Sequence, residues 1–221
     1  MGVPLPRENT TVEKQKECLS YIDNVFPKRG YYYRKIDLLK DRRIIFLDYG
    51  LQKIKIYKFN DKHFILDFQF SIEYEKKFGP TSMYEIEDNI ILFGGYMKLD
   101  LIDINNNETR YLQKLTFNGL EGYIQKLIKL SNGQICLYYT KNILFYKYNI
   151  NNKNLEKIGE IITKSEISEL FETNDGKIIT FFEEEIIIYD KNKNVQTIIK
   201  INKNFTGCDV IDKFIFIYYR S

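Results

Sequence analysis

Tryptophan is absent from this chain of 221 residues, and histidine occurs once, at His63. A lone imidazole needs an orienting partner and a nucleophile before it can act as a general base, and nothing near His63 in the sequence supplies them. His63 is therefore expected to be structural or on the surface. The three cysteines, Cys18, Cys136 and Cys208, are odd in number, far apart and without CxxC spacing. With one histidine they assemble no zinc site of ordinary type, so no metal and no cofactor is expected. The same pattern reads as reduced, buried thiols. No apolar run approaches the roughly 20 residues that a membrane helix needs. The opening stretch MGVPLPRENTTVEKQKECLS lacks the apolar core of a secretion signal, and Pro6 stands where a myristoylation signal carries Ser or Thr. The expectation is an intracellular protein, cytoplasmic or nuclear. Net charge is only +3, too little to imply a nucleic-acid or membrane partner. Neither a phosphate-cradling glycine loop nor a calcium loop is present.

What the chain has is apolar mass, 44% of residues with 15% aromatic, all Tyr and Phe, and a recurring rhythm. The stretches DRRIIFLDYGLQKIKIYKF (41–59), EDNIILFGGYMKLDLIDI (87–104), NGQICLYYTKNILFYKYN (132–149) and DGKIITFFEEEIIIYDKN (175–192) share one plan. Each has a turn signal, an apolar run, a second turn and another run. A fifth copy, IDKFIFIYYRS (211–221), holds the first part of the same plan. Tyr57, Ile102, Tyr146 and Tyr189 are equivalent, spaced by 45, 44 and 43 residues. That period matches the roughly 40–45 residues of a four-stranded propeller blade. Asn132-Gly133 and Asp175-Gly176 read as hairpin turns with positive φ at both central residues. The second runs (44–47, 90–93, 135–138, 178–181) are continuously apolar, as strands buried on both faces are. In HFILDFQF, Phe64, Leu66, Phe68 and Phe70 share one face, with His63, Asp67 and Gln69 on the other, which suits an outer strand.

On these residues the chain resembles a WD40-like β-propeller over residues 31–221, with IIIYD (186–190) nearest to the signature. The second copy, through Gly94-Gly95 after an apolar strand, resembles a kelch blade, with the glycine pair read as a turn. The resemblance implies an all-β fold of four complete blades and a partial fifth. The ring is then either five-bladed, closed by the N-terminal segment, or part of a larger propeller that needs a second chain to close it. Residues 1–30 form an N-terminal extension in which 10–26 are expected to be an amphipathic helix. Thr10 and Glu13 suit a capping box, Val12, Leu19, Ile22 and Phe26 share a side, and Pro27 and Gly30 end it.

Three groups of side chains are candidates for function. Asp48, Gly94, Tyr139, Phe182 and Tyr219 follow the start of each second strand by four residues and form a ring near one rim. They either fill the core between blades or make a recognition surface; the second reading assigns Asp48, Tyr139, Phe182 and Tyr219 to partner binding. The segment 28–43 carries seven basic residues against two acidic ones. Lys28, Arg29, Tyr31, Tyr32, Arg34 and Lys35 would form a patch for an anionic partner, with bases stacking on tyrosine. Solvated charges on a first strand are the preferred alternative. Asp48, Asp100 and Glu183 are candidates for glycosidase carboxylates, which must face one another at defined separations. Their positions beside loops suit solvated turns instead. The function expected from the sequence is a non-catalytic protein–protein interaction module, a scaffold or accessory subunit of an intracellular complex. A nucleic-acid-associated subunit and a propeller enzyme such as a glycoside hydrolase are the alternatives.

Overall fold

The computed structural model describes residues 33–48, 53–60, 64–72, 80–105, 108–117, 122–201, 205–211 and 214–219. The expected helix at 10–26 and His63 lie outside them. Among the described residues eighteen strands follow one another in chain order. Blade one comprises β1 (Tyr33–Leu38), β2 (Ile44–Asp48), β3 (Lys53–Phe59) and β4 (Phe64–Ser71). Blade two comprises β5 (Ser82–Glu87), β6 (Ile90–Gly94), β7 (Lys98–Asp103) and β8 (Arg110–Thr116). Blade three holds β9 (Lys126–Lys129), β10 (Ile135–Tyr139), β11 (Asn142–Asn149) and β12 (Asn154–Ile162). Blade four holds β13 (Glu169–Glu172), β14 (Ile178–Phe181), β15 (Glu185–Tyr189) and β16 (Val195–Lys200). A two-stranded sheet, β17 (Phe205–Ile211) with β18 (Phe214–Tyr219), follows. Each four-stranded sheet is an antiparallel meander whose spatial order is its chain order.

The apolar second runs are the reason for this stacking. Every residue of β6, β10 and β14 is buried, as are Ile44 to Leu47 of β2. A strand covered on both faces needs a neighbouring sheet on each side. The cores accordingly lie between blades. Ile45, Leu47, Ile54 and Ile56 of blade one meet Met83, Ile91, Phe93 and Ile102 of blade two. Leu92, Leu99 and Leu101 meet Leu127, Leu137 and Leu144 at the next seam. Cys136, Phe145, Leu170 and Ile178 fill the one between blades three and four. First strands approach each other across a seam, β5 against β9, while β16 is exposed along its whole length. The first strands are thus the inner edge of the fan and the fourth strands its outer edge. The architecture is all-β and propeller-like.

Two local features depart from the sequence reading. In the turns at 130–134 and 173–177 only Gly133 (φ 83°) and Gly176 (φ 77°) are left-handed. Leu130 N–H bonds to the Gln134 carbonyl at 2.7 Å and Gly133 N–H to the Leu130 carbonyl at 2.8 Å. These are three-residue loops closed by one left-handed residue, not two-residue turns with two. Arg42 (φ 70°) takes the same place in blade one. Second, every pairing of a third with a fourth strand slips by one residue at the same place: after Ile56, Leu101, Phe145 and Ile188. The extra residues are Asp67, Leu112, Ile158 and Gln196. A bulge of this kind increases twist and reverses side-chain alternation beyond it. Leu66, expected to share a face with Phe68 and Phe70, is consequently 47% exposed, whereas Phe68 and Phe70 stack at 5.5 Å.

Candidate functional site

The pairing registers define which residues are equivalent on the inner strands. Lys35, Ser82, Lys126 and Glu169 lie opposite Leu47, Gly94, Tyr138 and Phe181 and form one tier. Leu38, Glu85, Lys129 and Glu172, opposite Ile44, Ile91, Ile135 and Ile178, form a tier at the other end. Between them Met83, Leu127 and Leu170 are buried and apolar. In blades two to four, alternation along a short strand therefore leaves polar groups at both ends of the inner edge and packing in the middle.

At the first tier, opposite charges from neighbouring blades meet. Lys126 Nζ donates to Glu169 Oε1 at 2.8 Å and to the Leu170 carbonyl at 3.1 Å, and it lies 4.4 Å from the centre of the Phe171 ring. The buried Tyr138 hydroxyl donates to the same Oε1 at 3.3 Å, and Leu170 N–H does so at 3.1 Å. Oε1 is thus fully engaged, while Oε2 accepts no hydrogen bond among the described residues. Lys126 likewise retains one of its three ammonium protons. Both side chains are about one-third exposed, 34% and 36%. A carboxylate oxygen free to take a proton stands beside a cation that would stabilise a developing oxyanion. Ser82, on the same tier, is 2% exposed, with Oγ 3.5 Å from the Gly94 carbonyl, and does not present a nucleophile.

At the opposite tier, Glu85 Oε2 accepts the Lys40 amide at 2.6 Å and Oε1 the Asn89 amide at 3.2 Å. Burial raises its pKa despite those two bonds and the nearby Lys40 charge. Glu172 does the same work two seams further on, accepting the Ser131 amide at 2.7 Å and its hydroxyl at 2.7 Å. These carboxylates tie the turn of one blade to the inner strand of the next.

The residues singled out from the sequence are dispersed. Tyr139 is 3% and Phe182 1% exposed. Tyr139 stacks on Phe117 at 5.8 Å, and burial raises its hydroxyl pKa. Both rings close seams between blades and offer no face to a partner. The tier itself is one residue out in blade two: Gly95, which bonds Lys98 across its turn, is the equivalent of Tyr139, and Gly94 ends β6 as a strand residue instead of forming a turn. Asp48 ends β2, and Tyr219 ends β18. Of the basic segment, residues 28–32 lie outside the described residues, and Arg34 and Lys35 lie on β1. Of the glycosidase carboxylates, Asp100 and Glu183 lie on blades two and four. Glu183 is exposed in the turn before β15, and Asp100 is 1% exposed within blade two. Among the described residues no three metal-ligating side chains gather. Lys126 and Glu169 were not singled out, although a signal existed: they are 43 residues apart, the same interval as Tyr146 and Tyr189, so they occupy equivalent places on neighbouring blades.

Fold and inner-edge geometry define a β-propeller-like protein, and solved structures bear this out. The chain is similar to a protein from Bacteroides fragilis named as a 6-phosphogluconolactonase, with 13% identity and a TM-score of 0.63 over 80% of this chain and 58% of that one. It is similar to the periplasmic gluconolactonase of Pseudomonas aeruginosa, with 11% identity and a TM-score of 0.59 over 77% and 53%. It is also similar to virginiamycin B lyase of Staphylococcus aureus, solved as a catalytically inactive form with quinupristin, with 14% identity and a TM-score of 0.60 over 83% and 61%. The chain thus spans a little over half the length of each. No family model and no curated protein sequence matches it, so neither the WD40 nor the kelch family is established. The expectation of a non-catalytic scaffold is corrected here: these three similar structures are named for lactonase and lyase activity.

Proposed function

We propose that this chain is the catalytic part of a propeller enzyme that opens cyclic esters, with chemistry at the inner edge of blades three and four. The observation that carries the reading is the Lys126–Glu169 pair at 2.8 Å, one-third exposed at the inner edge, with Glu169 Oε2 unengaged. In the proposed step Glu169 Oε2 takes a proton from water as the water oxygen attacks the lactone carbonyl. The remaining proton of Lys126 stabilises the oxyanion, and collapse of the intermediate expels the ring oxygen, which is protonated by solvent. Tyr138 and the Leu170 amide hold Oε1, so the carboxylate plane is fixed before substrate arrives. The names of the similar structures support a lactone as substrate class. The WD40-like character of the repeat, seen in IIIYD (186–190) at the end of β15, belongs to the same reading as a description of blade pattern.

The test is hydrolysis of a panel of γ- and δ-lactones by the full chain, followed by proton release. Turnover above buffer is expected. Glu169→Gln, which keeps shape and loses the base, should lower kcat/KM by ~10²–10⁴-fold, the usual range for a general base. Absence of turnover by the wild-type chain, or full activity in Glu169→Gln, would remove the proposal.

A further inference from the structure

We infer that β16 is a self-association surface: two copies of this chain pair their β16 strands antiparallel about a two-fold axis at Ile199, joining two fourth blades into one eight-stranded sheet. The surface lies on the opposite edge of the blade from Glu169, which is on β13. All six residues of β16 are exposed, with Val195 at 55%, Ile198 at 54% and Ile199 at 38%, whereas each of the other three fourth strands keeps part-buried residues. β8 carries Arg110 and Lys114, and β12 carries Glu156, Lys157 and Glu160. Charges of this kind keep an open edge from accepting another strand. On β12 the Leu155 amide and carbonyl are also taken by the Gln113 side chain of β8, at 2.7 and 3.2 Å. The one charge on β16 is Lys200, and Glu185 of its own sheet binds it. This edge is apolar and unguarded.

The ladder shows which backbone groups are open. Ile201 N–H donates to the Glu184 carbonyl at 3.0 Å, and the register from Lys200 opposite Glu185 to Thr197 opposite Ile188 is unbroken. In an antiparallel pair, hydrogen-bonded and non-hydrogen-bonded residues alternate. Thr197 and Ile199 therefore turn their N–H and C=O groups toward β15, as Ile201 does, while Ile198 and Lys200 turn theirs outward. Among the described residues no strand pairs with that outer side and no backbone group bonds to it. The bulge residue Gln196 precedes this stretch, so four consecutive residues remain regular.

The open edge complements itself, which selects a second copy as its occupant. With the axis at Ile199, Ile198 and Lys200 of one chain face Lys200 and Ile198 of the other, and their outward groups close four N–H to carbonyl bonds. The two Ile199 side chains meet at the axis as a non-hydrogen-bonded pair, the closer kind, with Cα atoms about 4.5 Å apart. Thr197 meets Ile201. Lys200 lays its aliphatic stem along Ile198 and stands away from the other Lys200. Parallel pairing in register sets the two lysines directly opposite each other, which is unfavourable. A two-fold pairing uses each edge once and closes, so it gives a dimer and not a filament. One strand pair buries less than the roughly 1,200 Å² of a tight interface, so association is weak, half complete on the order of 10–100 µM.

Sedimentation equilibrium of the full chain across that concentration range is the test. The wild type is expected to pass from monomer to dimer, with amide exchange at Ile198 and Lys200 slowing as the dimer forms and exchange at Ile199 little changed. Ile198→Lys sets a second ammonium against Lys200 of the other copy and should abolish the dimer. Ile198→Glu places a carboxylate there and should retain it. Both variants lose the same exposed apolar group, so opposite outcomes at one position separate strand pairing from unspecific hydrophobic contact. Circular dichroism of both should match the wild type, since the position is on the surface. A wild type that stays monomeric throughout, loss of the dimer in both variants, or a dimer that persists in Ile198→Lys would overturn the inference. These readouts need no substrate, so failure of lactone hydrolysis would strike the proposed enzyme and spare this surface.

Discussion

At Asp100 a carboxylate is 1% exposed inside blade two, opposite Phe93 on one side and Lys114 on the other. Its Oδ1 has no hydrogen-bond partner, and the Lys114 ammonium sits 3.7 Å over the Tyr111 ring. Burial pushes its pKa up from 3.8 to about 6, with Lys98 and Lys114 opposing only in part. The folded chain therefore holds a proton in a range where the unfolded chain has released it. Stability contributed by this group falls as pH rises from about 4 to about 6 and stays lowered above that. A displacement of roughly two pKa steps corresponds to a penalty of up to about 3 kcal/mol at neutral pH. Asp100→Asn should match the wild type near pH 4 and exceed it increasingly up to pH 6, with a constant difference beyond. Urea denaturation at several pH values measures this, and parallel stability profiles for the two proteins would contradict it. Thr180, 0% exposed with an unpartnered Oγ1, is the neutral counterpart in blade four, where blades one to three carry Phe46, Phe93 and Leu137.

Between elements, the recurring device is a carboxylate reaching back to the preceding blade. Glu85 and Glu172 occupy the same register on β5 and β13 and capture the amides of Lys40 and Ser131. Each satisfies a donor in a tight turn and fixes the turn against the next inner strand. The acceptor is charged, but the contact at Ser131 lies near solvent, so Glu172→Ala should cost about 1–2 kcal/mol. Amide exchange at Ser131 should accelerate with it, and an unchanged exchange rate would mean that the bond contributes nothing. The repeated bulge belongs to the same scale. By slipping each fourth strand after an equivalent residue, it twists the outer edge of every blade in the same sense, so that sheets of nearly equal length can fan about one line.

For the whole molecule, stability resides in the seams, because each blade buries its faces only against its neighbours. Gly94 shows how little room a seam has. A Cβ there would stand 2.5 Å from Ser82 Oγ and 2.8 Å from Ile124 Cγ2, where blade three begins. Thr81 secures the same junction, its hydroxyl donating to the Ile124 carbonyl at 2.6 Å. Gly94→Ala should destabilise the chain by about 1–3 kcal/mol through overpacking, with faster native-state exchange in blades two and three than in blade four. Wild-type stability of this variant would show that the seam yields.

Strand identity was legible in the sequence because unbroken apolar runs, cut by turn residues at a near-constant interval, leave a chain little choice but buried strands in stacked sheets. Ile44 to Leu47, Ile90 to Phe93, Ile135 to Tyr138 and Ile178 to Phe181 lie where hydrophobicity puts them. The rim was not legible. Whether Tyr139 and Phe182 face solvent or a neighbouring blade depends on how two sheets approach, and a hydrophobic ring is buried wherever that approach covers it. The bulges were equally hidden, since a slipped register is a property of paired strands; hence Leu66 turns outward against its own alternation. Polar groups at the inner edge lie between these cases. Period alone places Lys126 beside Glu169, but only the packed blades decide that Oε1 is held and Oε2 is open. Burial follows composition along the chain, whereas a site requires side chains from different blades to meet at hydrogen-bonding distance, and that distance is set by tertiary packing.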